Sequence, residues 1–316
     1  MIPVSMRAIL CLVFLLVCGC SRSVTAPGAL VVGFSQLGAD NPWRTAESES
    51  IREEAKKRGF ELKFSDAQGK QENQIAALRA FVTQGVSAIM LAPLTKAGWE
   101  PVLKEIQAAK IPVILVDRGV EVSDQSLFAT LICSDFVAEG RMAGEYLVKQ
   151  LGGKGKVVEL MGTTGADPAI ERAKGFRAAI AEHKDIEVVA SQDGDFKRQN
   201  ARQILDSLLR SQPRIDAVYA HNDDMALGAI LAIEAAGKKP GQDILVVSID
   251  GMRFAFEEMA KGRLNATVEC SPLLGPLAFD ALEKLRKGHP VEKRTIVQDR
   301  LFTAEIAAKA LPERKY

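Results

Sequence analysis

Short apolar runs that alternate with helix-period segments constrain the fold of this chain more than any other feature. Strand-like runs lie at 30–34, 61–65, 88–91, 112–116 and 128–132, and helical patterns lie at 43–58, 70–84 and 99–109. After a helical pattern at 136–151 and a glycine-rich connector at 152–156, the alternation resumes. This second series predicts strands near 157–161, 186–190, 216–220, 244–249 and 265–269, and helices near 168–182, 198–210, 224–236 and 253–261. Strands that alternate with helices predict doubly wound parallel sheets, and two such units in one chain imply a cleft between them.

The first residues are typical of a secretory signal. Arg7 is the only charge before an apolar stretch at 8–17, which is too short to span a bilayer as a helix of about twenty residues. The stretch ends in Val17-Cys18-Gly19-Cys20, a cleavage pattern that resembles a bacterial lipoprotein signal. We therefore predict a signal peptide at 1–19, a lipid on Cys20 and a tether at 20–28. An incidental cysteine in an ordinary signal remains the alternative.

Charge and cysteine content exclude several classes of protein. Removal of residues 1–19 takes away one arginine and no acidic residue, so the formal net charge falls from +1 to 0. A neutral chain gives no electrostatic argument for binding nucleic acid or a membrane surface. Cys133 and Cys270 are the only other cysteines after Cys20, which predicts no zinc site and no disulfide framework, although a single bridge stays open. No motif of nucleotide, metal or nucleophilic chemistry is present, so we expect no cofactor and no metal.

Polar side chains follow four of the apolar runs. They are Ser35-Gln36, Asp117-Arg118, Asn222-Asp223 and Asp250. Open α/β sheets bind ligands at the carboxyl ends of their strands. A carboxylate accepts from two hydroxyls and a guanidinium donates in a fixed fork, so the set suits a small polyol better than a covalent reaction. The alternatives are a turn salt bridge between Asp117 and Arg118, and helix capping by Asp223 or Asp250.

Two helix starts add candidates. Trp43 and Glu47 share one face of a helix that Asn41 is placed to cap, with Arg44 beside them. Trp43 is suited to stack on a sugar ring, while packing in a domain interface is its alternative role. Arg172 follows the turn Gly162-Thr163-Thr164-Gly165, which we interpret as structural, and Arg172 is a candidate ligand donor.

These residues together resemble the sugar-binding proteins of bacterial ABC importers, in the ribose and galactose group. The resemblance covers nearly all of the mature chain and is closest to the galactofuranose-binding subgroup. The segments that carry it are Val32-Gly33-Phe34-Ser35-Gln36, Asn41-Pro42-Trp43-Arg44, Val116-Asp117-Arg118, Glu171-Arg172-Ala173-Lys174-Gly175-Phe176, Ala220-His221-Asn222-Asp223-Asp224-Met225-Ala226-Leu227-Gly228-Ala229 and Ser248-Ile249-Asp250-Gly251. For the subgroup they are Gly33-Phe34-Ser35-Gln36, Trp43-Arg44, Gly69-Lys70-Gln71-Glu72-Asn73-Gln74 and Gly98-Trp99-Glu100-Pro101-Val102-Leu103-Lys104.

The resemblance implies a type I periplasmic binding fold, in which two doubly wound parallel-sheet lobes are joined by a three-strand hinge. It places 29–134 and 271–298 in the N-terminal lobe, and 135–270 and 299–316 in the C-terminal lobe. Ribose binders carry a glutamine at the crossing where this chain has Cys270, so ribose is disfavoured. The site residues that the resemblance implies are Ser35, Gln36, Trp43, Arg44, Glu47, Asp117, Arg118, Ser134, Asp135, Arg172, Asn222, Asp223 and Asp250.

The expected function is capture of a monosaccharide, galactofuranose or a related furanose or pentose, for an ABC permease in the inner membrane. The expected protein is a periplasmic monomer without enzymatic activity, attached to the membrane only through a lipid on Cys20. A sugar sensor that presents its ligand to a membrane receptor or kinase remains open. A glycoside-processing enzyme that uses Asp117 and Asp250 as paired carboxylates is the weaker alternative. A signal peptide stands where repressors of this fold carry a DNA-binding domain, which argues against a repressor.

Overall fold

The computed structural model describes residues 30–39 and 41–316. The predicted signal peptide at 1–19, the predicted lipid on Cys20 and the predicted tether at 20–28 all lie outside the described residues. The described part contains twelve strands and ten α-helices. The strands are β1 Val31–Gln36, β2 Glu61–Asp66, β3 Ala88–Leu91, β4 Val113–Val116, β5 Thr130–Ser134, β6 Lys154–Met161, β7 Asp185–Asp193, β8 Ala217–Ala220, β9 Leu245–Asp250, β10 Ala266–Glu269, β11 Arg294–Val297 and β12 Leu301–Thr303. The helices are α1 Pro42–Lys57, α2 Gln71–Thr83, α3 Glu100–Ala108, α4 Phe136–Leu151, α5 Asp167–Ile180, α6 Arg198–Ser211, α7 Asp223–Ala235, α8 Arg253–Ala260, α9 Gly275–Arg286 and α10 Ala304–Ala310.

The strands form two six-stranded sheets, one in each lobe. The first has the order β11-β5-β4-β3-β1-β2 and the second β12-β10-β9-β8-β6-β7. Every pairing is parallel except that of β12, which runs antiparallel to β10 at the edge of the second sheet. The predicted fold class of two doubly wound parallel-sheet lobes is therefore confirmed.

The chain passes between the sheets at three places. After β5 it enters α4, whose Phe136, Ala143 and Leu147 pack with residues of the second sheet. After β10 it enters α9, whose Ala278 and Phe279 pack against the first sheet. After β11 of the first sheet it continues into β12 of the second. The three crossings lie side by side, as a hinge requires, and the residue boundaries of the lobes stay predictions.

Two differences from the predicted elements bear on the site. The strand β1 runs to Gln36 and β5 runs to Ser134, so the predicted strand ends at 34 and 132 were too early. The prediction of a connector at 152–156 was also wrong in part, because Lys154 begins β6 and pairs with Asp185 of β7. Only Gly152 and Gly153, both with positive φ, form the turn. The neighbouring strand supplies the backbone partners that local propensity does not reveal.

The helices α4 and α5 pack unusually closely, which fixes one wall of the interlobe cleft. A Cβ on Gly140 would lie 2.1 Å from the Arg172 carbonyl oxygen, and one on Gly175 would lie 2.0 Å from the Val137 carbonyl oxygen. Each helix therefore places a glycine where the other helix's backbone passes, and no larger residue fits. Within the described ranges, no helix has the length and apolar character that a membrane span needs.

Candidate binding site

A cavity lies between the two sheets, at the carboxyl ends of their strands. About 310 Å³ of atom-free space lies there, a figure that includes open solvent. Both lobes and one crossing contribute to its wall. The lining residues are Asn41, Trp43, Arg44, Asp117, Arg118, Pro168, Arg172, Phe196, Asn222, Asp250 and Cys270.

Arg44 is the centre of the charged group on the first lobe. Asn41 caps α1 by accepting a hydrogen bond from the Arg44 amide at 2.8 Å, which places Trp43 and Arg44 in the first turn. The Arg44 guanidinium donates to Glu47 Oε2 at 2.7 Å and to Asp117 Oδ2 at 2.5 Å. Burial lowers the pKa of Arg44, but Asp117 and Glu47 outweigh this effect and the net pKa is raised. Arg44 therefore stays charged and rigid at the cavity wall.

Arg118 carries donors that its neighbours do not fully use. Its Nη1 donates to the Leu94 carbonyl at 3.0 Å, and its Nε lies 3.3 Å from Asp117 Oδ2. This buried Nε has no hydrogen-bond partner in the described part of the chain. Burial and the positive charge of Arg44 lower the pKa of Arg118 to about 10. A ligand oxygen at this place would gain a charge-assisted hydrogen bond.

Arg172 forms a similar group on the second lobe. Its Nε donates to Glu139 Oε2 at 2.7 Å and its Nη1 donates to the His221 carbonyl at 2.6 Å. Its Nη2 lies 3.9 Å from Asp250 Oδ1. Burial lowers the pKa of Arg172, but Glu139 reverses the shift and the net pKa is raised. Each lobe thus places an arginine between a buried glutamate, which does not line the cavity, and an aspartate, which does.

The two strand-end aspartates have uncommon backbone conformations. Asp117 has a φ of 63° and Asp250 a φ of 127°, although neither is glycine. Such conformations cost free energy and persist where the surrounding structure fixes them, often at functional sites. They turn both carboxylates from their strand ends toward the cavity.

Aromatic rings complete the wall. The Trp43 indole nitrogen donates to the Cys270 carbonyl at 2.7 Å, so Trp43 also ties the first lobe to a crossing. Phe196 faces Arg118 from the second lobe, with the guanidinium carbon 5.3 Å from the ring centroid. Trp43 therefore packs in the domain interface and also lines the cavity, while its stacking on a sugar ring stays a prediction.

Seven of the thirteen predicted binding residues line this cavity. They are Trp43, Arg44, Asp117, Arg118, Arg172, Asn222 and Asp250. Asn222 also caps α7 by accepting from the Met225 amide at 2.9 Å, and it donates to the Phe196 carbonyl at 3.2 Å. The structure therefore brings together the charged and aromatic members that the strand ends and helix starts predicted.

The other six predicted residues lie outside the lining. Glu47 supports Arg44 from behind, and Gln36 donates to Glu47 Oε2 at 2.8 Å. Asp135 caps α4 and lines a separate cavity. Asp223 accepts from Ser248, Thr267 and the Met252 amide, so its oxygens point into the second lobe. The remaining two, Ser35 and Ser134, are buried at the ends of β1 and β5.

Sequence reasoning missed five contributors. Asn41 appeared only as a cap, Cys270 only as a departure from ribose binders, and Pro168 and Phe196 not at all. Glu139 is fully buried beneath Arg172, where burial raises its pKa. Its place in the first turn of α4 looks like an ordinary helix-start acid. Positive φ angles at Asp195 and Phe196 mark this loop as unusual, and a sequence does not display φ.

The lobes touch across the cleft. Lys96 Nζ of the first lobe lies 2.7 Å from Asp167 Oδ1 of the second. The Gly119 amide donates to Asp167 Oδ2 at 2.9 Å, and the Lys96 amide donates to the Gly165 carbonyl at 2.9 Å. The structure is thus a closed form, in which residues of both lobes surround the cavity.

The fold and the two-lobed cavity define a binding protein, and the chain belongs to the periplasmic binding protein domain family, whose model matches residues 32–290. Solved relatives of this chain include the sugar-binding component of an ABC transporter. The chain is 47% identical to the galactofuranose-binding protein YtfQ of Escherichia coli strain K12, over 93% of this chain and 94% of that protein.

Two solved structures extend the comparison. One is the binding component of the arabinose ABC transporter of Shewanella sp. ANA-3, bound to α- and β-L-arabinofuranose. It has a TM-score of 0.88 and 49% identity, and the match covers 90% of this chain and 95% of that one. The other is the fructose-binding periplasmic domain of a hybrid two-component system, with a TM-score of 0.84, 30% identity and coverage of 90% and 94%.

Proposed function

We propose that the protein captures a neutral monosaccharide in furanose form, galactofuranose or a sugar of closely related shape, and delivers it to an ABC permease. The observation that carries the proposal is the paired Arg-Asp arrangement at the cavity, Arg44 with Asp117 and Arg172 with Asp250. Carboxylates accept from sugar hydroxyls and guanidinium groups donate to ring and hydroxyl oxygens. Alternating donors and acceptors on two opposed walls suit a ring that carries hydroxyls on both faces.

Charge argues for an uncharged ligand. Three arginines at the wall face two aspartates, and Glu47 and Glu139 lie behind them. A phosphorylated sugar would bring its negative charge beside Asp117 and Asp250, which is unfavourable in a buried cavity. The preference for a furanose ring rests on the relatives, since two of those compared bind galactofuranose or arabinofuranose by name.

Isothermal titration of the purified mature chain tests this function. We expect heat of binding and a 1:1 stoichiometry with galactose and L-arabinose, both of which contain furanose forms at equilibrium. Ribose should bind more weakly. Tightest binding of ribose with none of galactose would overturn the furanose proposal, and binding of a sugar phosphate in preference to the free sugar would overturn the neutral-ligand proposal.

Delivery to a permease and sensing use the same closed lobes. The similarity to the periplasmic domain of a two-component system favours the sensor as the second candidate. Stimulation of the ATPase activity of a neighbouring-gene permease in vesicles would support delivery, and co-purification with a membrane kinase would support sensing. We further propose that the protein is a monomer attached through a lipid on Cys20, which metabolic labelling with a fatty acid tests.

We propose no enzymatic activity. The Asp117 carboxylate is engaged by Arg44 at 2.5 Å and lies 3.3 Å from Arg118 Nε. A carboxylate neutralised in this way is a poor general base. Release of free sugar from a nitrophenyl furanoside by the purified protein would contradict this conclusion.

A further inference from the structure

Arg314 does not line the cavity, yet its side chain forms hydrogen bonds at both strand ends that lead into it. Its side chain is 7% exposed and comes from the segment that follows α10. Its Nη2 donates to the Gly251 carbonyl at 2.7 Å, and its Nη1 donates to Glu269 Oε1 at 2.5 Å. The guanidinium carbon also lies 4.9 Å from the ring centroid of Phe256. A buried arginine that donates two such hydrogen bonds is held rigidly.

Both acceptors are immediate chain neighbours of cavity residues. Gly251 follows Asp250, and Glu269 precedes Cys270. Asp250 and Glu269 are also register partners where β9 and β10 pair, and the Cys270 amide donates to the Asp250 carbonyl at 3.1 Å. One guanidinium therefore joins the ends of two adjacent strands, and Arg314 itself does not line the cavity.

The turn that Arg314 holds needs support. Asp250 has a φ of 127° and Gly251 a φ of 73°, so the backbone leaves β9 through two uncommon conformations in succession. The Gly251 amide donates to Thr267 Oγ1 at 3.2 Å and the Met252 amide donates to Asp223 Oδ2 at 2.7 Å. Arg314 supplies the bond to the Gly251 carbonyl and adds the link to β10. Strained backbone at a site persists only when such contacts determine it.

We infer that Arg314 is a positioning residue for the binding cavity, which fixes Asp250 and Cys270 in place through Gly251 and Glu269. This inference rests on the proposed sugar binding at that cavity. It makes the segment at 311–316 part of the binding machinery, although none of its residues lines the cavity.

Replacement of Arg314 in the full chain tests the inference, and Arg300 supplies a matched control. Arg300 Nε lies 3.7 Å from the other oxygen of Glu269, but its side chain is 66% exposed. We expect Arg314→Ala to weaken sugar affinity by at least about tenfold, as loss of a charge-assisted hydrogen bond would. The sugar affinity of Arg300→Ala should stay within about twofold of the parent's. Arg314→Lys keeps the charge but lacks the planar fork, so it should lose less sugar affinity than Arg314→Ala. It also provides a test if the Ala variant does not fold.

A double-mutant cycle separates positioning from general destabilisation. If Arg314 acts through Asp250, its replacement should cost little further affinity in an Asp250→Ala background, because the group it positions is already gone. Fully additive losses, or unchanged affinity in a folded Arg314→Ala protein, would overturn the inference.

Hydrogen exchange gives a readout that needs no sugar. Amides at 250–252 should exchange faster in Arg314→Ala than in the parent chain or in Arg300→Ala. If the parent chain binds no sugar, the proposed function fails, and the exchange rates still decide whether Arg314 fixes this turn. Unchanged exchange there would refute the role of Arg314 by itself.

Discussion

Asp117 holds two arginines at the wall of the cavity. It accepts from Arg44 at 2.5 Å, and Arg118 Nε lies 3.3 Å away. Asp117→Ala should weaken sugar binding by about 2–5 kcal/mol, because both guanidinium groups would remain buried without their shared carboxylate. Isothermal titration measures this loss directly.

The control for Asp117 is an aspartate that pairs with an arginine away from the cavity. Asp206 on α6 lies 3.8 Å from Arg202 at the surface of the second lobe. Asp206→Ala should leave affinity unchanged, since exposed ion pairs contribute little. Equal affinities of the parent and Asp117→Ala proteins would remove Asp117 from the site.

Asn222 and Asp223 show the limit of sequence reasoning at the scale of single residues. Both follow β8, and their polar side chains made both candidates for ligand contact. In the structure Asn222 lines the cavity, whereas Asp223 turns inward to three donors of its own lobe. Adjacent residues at a strand end differ in direction by their backbone angles, and a pattern of residue types carries no record of those angles.

Asp223 should therefore matter more for folding than its position in the sequence indicates. Asp223→Ala leaves the Ser248 and Thr267 hydroxyls and the Met252 amide without their acceptor, which should lower the free energy of unfolding by about 1–3 kcal/mol or more. Urea denaturation of the ligand-free protein measures it. Asp224→Ala is the matched control, because Asp224 pairs with the half-exposed Arg198. Equal midpoints for the two variants would contradict the internal role of Asp223.

At the scale of elements, the contact between α4 and α5 sets the position of Arg172. Gly175→Ala would place a Cβ 2.0 Å from the Val137 carbonyl, so the helices must separate. We expect a loss of about 1–3 kcal/mol in stability, as for overpacked cores, together with weaker sugar binding. Thermal unfolding and titration check both effects.

The comparison variant for the helix contact lies on the same helix. Lys174 on α5 is 69% exposed, and Lys174→Ala should change neither property. A Gly175→Ala protein with the parent's stability would show that the helices accommodate the methyl group. Loss of stability with full affinity would mean that the contact does not position Arg172.

The elements themselves were largely predictable from periodicity. Alternating apolar runs and helical patterns located β1–β10 and α1–α8, and α4 was predicted at its observed bounds, whereas β11, β12 and α10 were not predicted. The start of β6 was missed because the pairing of Lys154–Lys156 with β7 is a long-range contact. The family resemblance assigned 271–298, and with it α9, to the N-terminal lobe, and α9 packs on the first sheet. A local sequence pattern indicates which residues are buried, but it does not indicate which strand or sheet they pack against.

At the scale of the whole molecule, Asp299 links folding to pH. It lies between β11 and β12 at the third crossing, near Ser134, Glu139, Glu269 and Arg172. Burial and the charge of Glu139 raise its pKa from 3.8 to about 8. Between these values the unfolded chain has lost the proton that the folded chain keeps, so stability should fall as pH rises from about 4 to about 8.

Replacement of Asp299 tests this pH dependence. Asp299→Asn removes the titration, so the variant should lose less stability between pH 5 and pH 8 than the parent. The upper limit of the difference is about 1.4 kcal/mol for each pH unit. Burial raises the pKa of Asp223 to about 7, so a smaller fall should remain in the variant. Urea midpoints of the parent and the variant at the two pH values measure this difference. An equal loss of stability in both proteins would contradict the role of Asp299 in the pH dependence.

The closed form depends on contacts between the lobes outside the cavity, and these should set how long a sugar stays bound. Asp167 accepts from the Gly119 amide and pairs with Lys96 at 2.7 Å, whereas Lys104 pairs with Glu100 inside the first lobe. A contact made only in the closed state shifts the equilibrium between open and closed forms. Lys96→Met should therefore speed release of every bound sugar by about fivefold, since a partly exposed ion pair contributes about 1 kcal/mol. Lys104→Met should not. Stopped-flow release rates that change for one sugar alone would place Lys96 at the ligand rather than at the closure.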